Sequence, residues 1–232
     1  MIEQLYDTHF HLDLHKDKWN VIRELEESKI YTIAVTNLPD LYRKESVEIA
    51  SKYIRFSLGF HPELIHQYKN QIPLMWELLP ETRYIGEVGL DFVNKTHKLE
   101  QLSFFSELIE RCRYDGNKIL TIHSRQAVSD VLDIVGYNFR FKPILHWFTG
   151  NKVELLNAID AGFYFSVNEA MMRSKRFLSL FPMIPAERLL IESDSPFLSS
   201  KVSHARTLLA LRESINEKRK DVNLWENFKL LL

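Results

Sequence analysis

Two histidines separated by one residue lie near the start of the chain, within the stretch Asp7-Thr8-His9-Phe10-His11. The short apolar run Ile2–Tyr6 before them predicts a strand. Because side chains alternate along a strand, His9 and His11 would lie on the same side. Two neighbouring imidazoles provide half of a site for zinc or another transition metal. Two surface histidines would explain the pair equally well, so the rest of the sequence must distinguish the two interpretations.

Ligand-type side chains recur further along the chain, where predicted strands end: His9 and His11 (first strand), Glu87 (fourth), His123 (fifth), His146 (sixth) and Asp194 (eighth). Each alone could be a core histidine or a salt-bridged carboxylate. Together they exceed what one tetrahedral metal needs, and they would suit two divalent ions bridged by a carboxylate such as Glu87. The other histidines, His15, His66, His97 and His204, have polar neighbours and are expected on the surface.

The elements that would position these side chains alternate between short β-branched or aromatic runs and longer helical segments. Eight strands are predicted: Ile2–Tyr6, Tyr31–Val35, Tyr53–Leu58, Arg83–Val88, Lys118–Ile122, Phe141–Leu145, Gly162–Val167 and Arg188–Glu192. The predicted helices are Lys16–Ser28, Asp40–Lys52, Glu63–Leu79 (interrupted near Pro73), Leu99–Tyr114, Val128–Val135, Val153–Ala161, Met171–Leu180 and the remainder of the chain.

This alternation predicts an α/β fold, a single (β/α)8 TIM barrel over residues 1–232. Barrel enzymes carry their chemistry where strands end, so the six ligand-type side chains would meet at one rim. An open doubly wound sheet is the alternative. No G-x-G-x-x-G follows any strand, which disfavours it.

Six motifs occur in order along the chain: Asp7-Thr8-His9-Phe10-His11-Leu12-Asp13, Gly59-Phe60-His61-Pro62, Gly86-Glu87-Val88-Gly89-Leu90-Asp91, His123-Ser124-Arg125, His146-Trp147-Phe148-Thr149-Gly150 and Glu192-Ser193-Asp194-Ser195-Pro196. Together they resemble the TatD family of metal-dependent DNases, from the first strand to about Leu198. Within that family the chain resembles the TatD-like component of the Qat antiphage defence system. The resemblance implies a TIM barrel, a divalent-metal centre and 3′→5′ exonuclease or related DNA-repair chemistry.

Carried over residue by residue, the resemblance implies these metal ligands: His9, His11, Glu87, His123, His146 and Asp194. It also implies that His61 and Arg125 contact phosphate. We expect two divalent ions (Mg, Mn or Zn) to activate a water, with Asp194 as general base and Glu87 between the ions. Asp91 and Glu192 are expected to orient ligands.

The chain departs from the family pattern at three places, one of them the compact stretch Asn227–Leu232. Glu63 stands where a second histidine often follows His61-Pro62, and Leu198-Ser199-Ser200-Lys201 replaces an Asn-Pro-containing loop. The substrate range can therefore differ from that of the general family. Of the aromatic residues that flank the motifs, Trp147 or Phe148 is expected to contact a base.

Composition narrows the class of protein. With 45% hydrophobic and 26% charged residues, the chain has an ordinary globular composition. A net charge of −1 provides no basic field that would attract long duplex, so single-stranded or frayed DNA ends are the expected substrate. Cys112, the only cysteine, is expected to be a structural thiol. Neither a secretory signal nor a membrane-spanning run is recognisable, so we expect no membrane association and a cytoplasmic location.

Two other functions fit the same residues. An amidohydrolase-type enzyme would act on a small-molecule ester, amide or phosphoester, although many of those use a carboxylated lysine where Glu87 stands here. A non-catalytic subunit of a defence or repair complex would need protein partners, but it would give no reason for six intact ligand positions.

Overall fold

Strands and helices alternate along the chain in a computed structural model that describes residues 4–198 and 203–232. The strands are β1 (Tyr6–Phe10), β2 (Tyr31–Val35), β3 (Ile54–Ser57), β4 (Tyr84–Gly89), β5 (Ile119–His123), β6 (Lys142–His146), β7 (Tyr164–Val167) and β8 (Leu189–Ile191). The α-helices are α1 (Lys18–Glu27), α2 (Pro39–Glu48), α3 (Ile72–Leu78), α4 (Lys98–Cys112), α5 (Val128–Val135), α6 (Lys152–Ala161), α7 (Glu169–Arg173), α8 (Lys175–Leu180), α9 (His204–Lys218) and α10 (Leu224–Lys229).

All paired strands are parallel, in the orders β1-β2-β3 and β4-β5-β6-β7-β8. The two groups meet between β3 and β4, where Gly86 N donates to Leu58 O at 2.9 Å. They meet again between β8 and β1, where Asp194 N donates to His9 O at 3.0 Å and Thr8 Oγ1 to Ile191 O at 2.9 Å. The predicted α/β fold with a (β/α)8 barrel is therefore confirmed.

The first strand differs from the prediction. It covers Tyr6–Phe10 rather than Ile2–Tyr6, of which Ile2 and Glu3 lie outside the described residues. Other elements satisfy some of the polar groups of this buried strand: Asp7 Oδ1 accepts from Ser193 N, and Thr8 Oγ1 donates to Ile191 O. His9 therefore lies inside β1 rather than after it, and His123 and His146 are the last residues of β5 and β6.

Two helix predictions were wrong in detail. Glu63–Leu79 is not one interrupted helix, because two 3₁₀ turns (Pro62–Leu64 and Lys69–Gln71) precede α3. Pro73 lies in the first turn of α3, where its missing N–H has no helical partner to lose. Met171–Leu180 is divided at Ser174, whose Oγ accepts a hydrogen bond from Phe177 N at 3.3 Å and so begins α8.

The core consists of buried apolar side chains from all eight strands and from the inner faces of the helices. Tyr6 stacks on Phe228 with ring centroids 4.2 Å apart, which packs α10 against the start of β1. Cys112 is fully buried, and that burial raises its thiol pKa to about 12, as a structural thiol requires. None of the helices in the described ranges is long and apolar enough to cross a membrane.

Candidate metal centre

The carboxyl ends of the strands bring the six ligand-type side chains into one pocket. β1 carries His9, with His11 directly after it; β4 carries Glu87, β5 His123 and β6 His146, and Asp194 follows β8. Five of these six residues line a cavity of about 430 Å³: His11, Glu87, His123, His146 and Asp194. His9 is fully buried beneath them.

The first group of facing atoms is built on β1. The Nε2 atoms of His9 and His11 lie 3.1 Å apart. Each also lies 3.4 to 3.6 Å from Glu87 Oε2 and from Asp194 Oδ1. Two imidazole nitrogens and two carboxylate oxygens thus face one point.

The second group faces the other oxygen of the same carboxylate. Glu87 Oε1 lies 2.6 Å from His123 Nδ1, 3.6 Å from His146 Nε2 and 3.7 Å from His61 Nε2. Glu87 therefore directs one oxygen at each group of imidazoles.

The spacing of the first group fits a cation. Four ligands about 2.0–2.2 Å from one tetrahedral ion lie about 3.3–3.6 Å from each other, close to the 3.1–3.6 Å observed between these atoms. Among the described residues, three sets of donors are close enough together to hold a metal ion: His9 with His11 and Asp194, His61 with Glu87 and His123, and His9 with His146 and Glu192. Imidazole and carboxylate donors suit zinc, manganese or magnesium to different degrees.

Local backbone conformation positions these donors. Gly89 has a φ of +138°, and a Cβ there would lie 2.1 Å from the carbonyl oxygen of His123, so only glycine lets β4 approach β5 this closely. Asp194 adopts a φ of +50°, which is unfavourable for a residue with a side chain. Its backbone is fixed in that conformation by the hydrogen bond from Asp194 N to His9 O.

Buried carboxylates contact the imidazoles from behind, as predicted for Asp91 and Glu192. Asp91 Oδ2 lies 2.9 Å from His123 Nε2. Glu192 Oε1 lies 3.1 Å from His146 Nδ1 and also accepts from Trp147 N and from Asn168 Nδ2. Such contacts fix the orientation and tautomer of an imidazole.

Ser166 and Asn168, which hold Glu192 in place, were not predicted. Ser166 Oγ donates to Glu192 Oε2, and both residues are fully buried. They alternate at the end of β7, a strand from which no functional residue was predicted. A polar side chain at every second position of an otherwise apolar strand end was the pattern that could have identified them.

The pKa values show how strongly the donors are coupled. Burial alone would raise the pKa of Glu87, but its electrostatic attraction to His61, a ring that is charged only in acid, and the hydrogen bond from His123 hold the pKa well below its usual range. Burial would likewise raise the pKa of Asp194, but the hydrogen bond from His11 and the charge of His146 keep it below its usual value. Both carboxyls are therefore ionised at neutral pH.

The pKa values of the imidazoles shift in opposite directions within this cavity. Burial lowers the pKa of His61 to about 4, so this ring is neutral at pH 7. Burial also opposes protonation of His123, but hydrogen bonds to Asp91 and Glu87 raise its pKa to about 9. For His146 the charge of Glu192 overcomes burial and raises the pKa to about 10.

The rim contains both predicted phosphate contacts. His61 and Arg125 line the cavity, and Arg125 is exposed to solvent. Glu63, Trp147 and Phe197 line it as well. Phe148 is only 3% exposed and lies outside the lining, which leaves Trp147 as the one of the two aromatic residues that could contact a base as predicted.

One histidine predicted on the surface is buried instead. The side chain of His204 is 8% exposed, and its Nε2 lies 3.1 Å from Asp7 Oδ2. The ring also meets Phe10 edge-on, with centroids 4.8 Å apart. Its partners come from β1, almost 200 positions earlier in the chain, so the sequence around His204 gave no indication of this contact.

Comparison with known proteins agrees with this arrangement. A family model described as TatD related DNase matches residues 6–224. An uncharacterised metal-dependent hydrolase of Buchnera aphidicola subsp. Acyrthosiphon pisum is 31% identical over 219 residues, which cover 84% of this chain and 82% of the relative. The 3′-5′ ssDNA/RNA exonuclease TatD of Erwinia tasmaniensis is 25% identical over 200 residues, 79% and 75% of the two chains.

A solved structure shows the same fold. The hydrolase TatD family protein from Entamoeba histolytica superposes with a TM-score of 0.75 over 100% of this chain and 96% of its own. The identity of the two sequences is 18%, so this similarity supports the barrel architecture alone.

Proposed function

The chain belongs to the TatD related DNase family of metal-dependent hydrolases, and from this premise we propose that it hydrolyses phosphodiester bonds of DNA from the 3′ end. The observation that carries the proposal is the position of Glu87, whose two oxygens face two separate groups of imidazoles in one cavity. A single- or frayed-strand end is the proposed substrate, in line with the ssDNA/RNA exonuclease named among the relatives.

We propose that the cavity binds two divalent cations. His9, His11, Glu87 and Asp194 would hold one, and Glu87, His123 and His146 the other. When bound, such ions lower the pKa of a water toward neutrality and offset charge on the phosphoryl oxygens. Magnesium, manganese and zinc are the candidates.

The charge of the side chains that line the cavity supports the proposal that divalent cations bind there. Metal ligation requires the imidazoles in their neutral form, and in that form one guanidinium, Arg125, faces four carboxylates, so that the side chains lining the cavity carry a net charge of −3: Glu63, Glu87, Asp91 and Asp194. A phosphodiester anion would be repelled from such a cavity. Two divalent cations would reverse the sign and make phosphate binding favourable.

Three side chains of the protein then act on the substrate. Asp194, ionised at neutral pH, accepts a proton from the attacking water as general base. Arg125 offers a planar pair of donors that matches two phosphate oxygens. His61 is neutral at pH 7 and donates a hydrogen bond without a charge, which differs from the charged contact that a protonated histidine would make.

The test is digestion of 5′-labelled single-stranded oligonucleotides with Mg²⁺, Mn²⁺ or Zn²⁺, with and without chelator. Asp194→Asn and His123→Ala should each lower the rate by about 100-fold or more, because general-base catalysis alone contributes about 10²–10⁴. Asp133→Asn and His66→Ala are matched controls, since both side chains are exposed away from the cavity. Wild-type rates in both active-site variants would contradict the proposal.

The same preparation separates the competing functions. Turnover of small esters or amides without digestion of oligonucleotides would replace the nuclease proposal by the amidohydrolase one. No turnover of either, with partner binding intact, would favour a non-catalytic subunit. A role in antiphage defence with protein partners, a cytoplasmic location and one domain over residues 1–232 also stay proposals; co-purification, fractionation and limited proteolysis would test them.

A further inference from the structure

Phe197 lies at the mouth of the cavity with 64% of its surface exposed. Single exposed apolar side chains are common on protein surfaces, so exposure alone carries little meaning. The position of this one is informative, because its ring meets His11 edge-on with centroids 5.1 Å apart. A large apolar face therefore stands beside the proposed metal ligands, open to whatever enters the cavity.

The backbone of Phe197 is hydrogen-bonded to that of the proposed general base, Asp194. Phe197 N donates to Asp194 O at 3.0 Å, so both residues belong to one turn after β8. In a closed barrel of eight strands in sequential order, β8 is next to β1 and lies across the mouth from the β4–β5 side. Arg125, just after β5, and Phe197 therefore line different sides of the same cavity.

This arrangement matches the two ends of a nucleotide. A phosphate held on the Arg125 side would leave the attached sugar and base to extend toward Phe197. The cavity of about 430 Å³ is in the size range that holds one small ligand. The phenyl ring adds no charge to a cavity that is already acidic.

Other aromatic residues near the motifs are less suited to this role. Phe60, Phe92 and Phe148 are buried in the core, with 0%, 2% and 3% of their surface exposed. Trp147 lines the cavity but is half-buried, and its backbone is fixed by Glu192. Among the aromatic residues that flank the motifs, Phe197 is therefore the one whose ring is most exposed.

We propose that Phe197 stacks on the base of the 3′-terminal nucleotide and thereby selects unpaired ends. This inference rests on the proposed nuclease function and adds a specificity-determining residue to it. A paired terminal base is held to its partner strand and to the base pair beneath it, whereas an unpaired terminal base can leave the stack and turn a face to the ring. Stacking tolerates any sequence, because every base has a π-face.

The experiment compares two single-stranded substrates that differ only at the 3′ end: a natural nucleotide or an abasic tetrahydrofuran residue. For the wild-type protein, kcat/KM should be about 5- to 100-fold higher on the natural end, the range expected for one stacked base. Phe197→Leu should bring this ratio close to one, because it keeps an apolar side chain but removes the ring. Phe197→Tyr should restore the wild-type ratio.

Tyr114→Ala is the matched control, since Tyr114 is also 64% exposed but follows α4 at the opposite end of the barrel. Unfolding midpoints and bound-metal stoichiometry are measured for every variant, to show that Phe197→Leu keeps its fold and its ions. A Phe197→Leu ratio equal to that of the wild type, or no discrimination by the wild type, would overturn the stacking role while leaving the nuclease proposal intact. Failure of the wild type to digest either substrate would overturn both.

Discussion

Replacement of Glu192 tests how far the centre depends on groups behind the proposed ligands. Glu192 is fully buried. Its Oε1 accepts from His146 Nδ1, Trp147 N and Asn168 Nδ2 at 3.0–3.1 Å, and its Oε2 accepts from Ser166 Oγ. The carboxylate therefore satisfies three nitrogen donors and one hydroxyl that have little access to water.

Two substitutions should separate charge from hydrogen bonding. Glu192→Ala leaves three buried donors without an acceptor, at about 1–3 kcal/mol each, so we expect a loss of at least about 3 kcal/mol. That is a large share of the roughly 5–15 kcal/mol by which domains are stable. Glu192→Gln can keep all four contacts, because its amide can donate to Ser166 Oγ. It loses only the charge, which we expect to cost about 1–2 kcal/mol.

Charge also sets the pH dependence of this variant. His146 has a pKa of about 10 in the folded protein because Glu192 opposes the effect of burial; an unfolded histidine titrates near 6.5. Between those values the folded state holds a proton that the unfolded state has lost. The stability of metal-free wild-type protein should therefore fall as pH rises from about 6.5 through 10. Glu192→Gln should flatten this slope.

Denaturant unfolding of the metal-free proteins at several pH values measures the loss of stability and its pH dependence. Calorimetric metal titration measures the change in metal affinity. Weakened orientation of His146 should lower metal affinity about 10- to 100-fold in Glu192→Gln. Ser166→Ala, which removes one hydroxyl from the same network, is the control and should cost about 1 kcal/mol. Equal stability of Glu192→Ala and Glu192→Gln, or an unchanged pH slope, would refute the reasoning.

Three further predictions concern other groups. Lys118 is 4% exposed, and its Nζ donates to three backbone carbonyls at the amino end of the barrel. Lys118→Met should therefore lower the free energy of unfolding, measured with denaturant, by about 2–5 kcal/mol. A loss of stability below about 1 kcal/mol would show that water replaces the ammonium. His123 and His146, with pKa values of about 9 and 10, are protonated without metal, so metal binding at pH 7.5 should release about two protons. Calorimetry in buffers of different ionisation enthalpy measures that release, and an equal heat in all buffers would exclude it. Cys112, with a thiol pKa of about 12, should react with a thiol reagent only after denaturation, and rapid labelling of the native protein would contradict its burial.

The sequence by itself determined the type of fold and the chemical nature of the centre. Strand and helix periodicities are local, so eight βα units could be recognised without coordinates. Parallel strands of a barrel end at one rim, and this rule brought together residues as distant as His9 and Asp194. The structure places these predicted donors in one cavity; their roles as ligands, and those of His61 and Arg125, stay predictions.

Only the tertiary structure decided how the individual side chains are oriented. Residues after β8 donate to β1, Ser193 N to Asp7 Oδ1 and Asp194 N to His9 O, and no local pattern encodes a partner about 185 positions away. The division of the two Glu87 oxygens between separate imidazole groups depends in the same way on packing between strands. So does the exposure of Phe197 while Phe148 is buried: both rings are apolar and flank a motif, and the face that each shows to water is set by the elements around it.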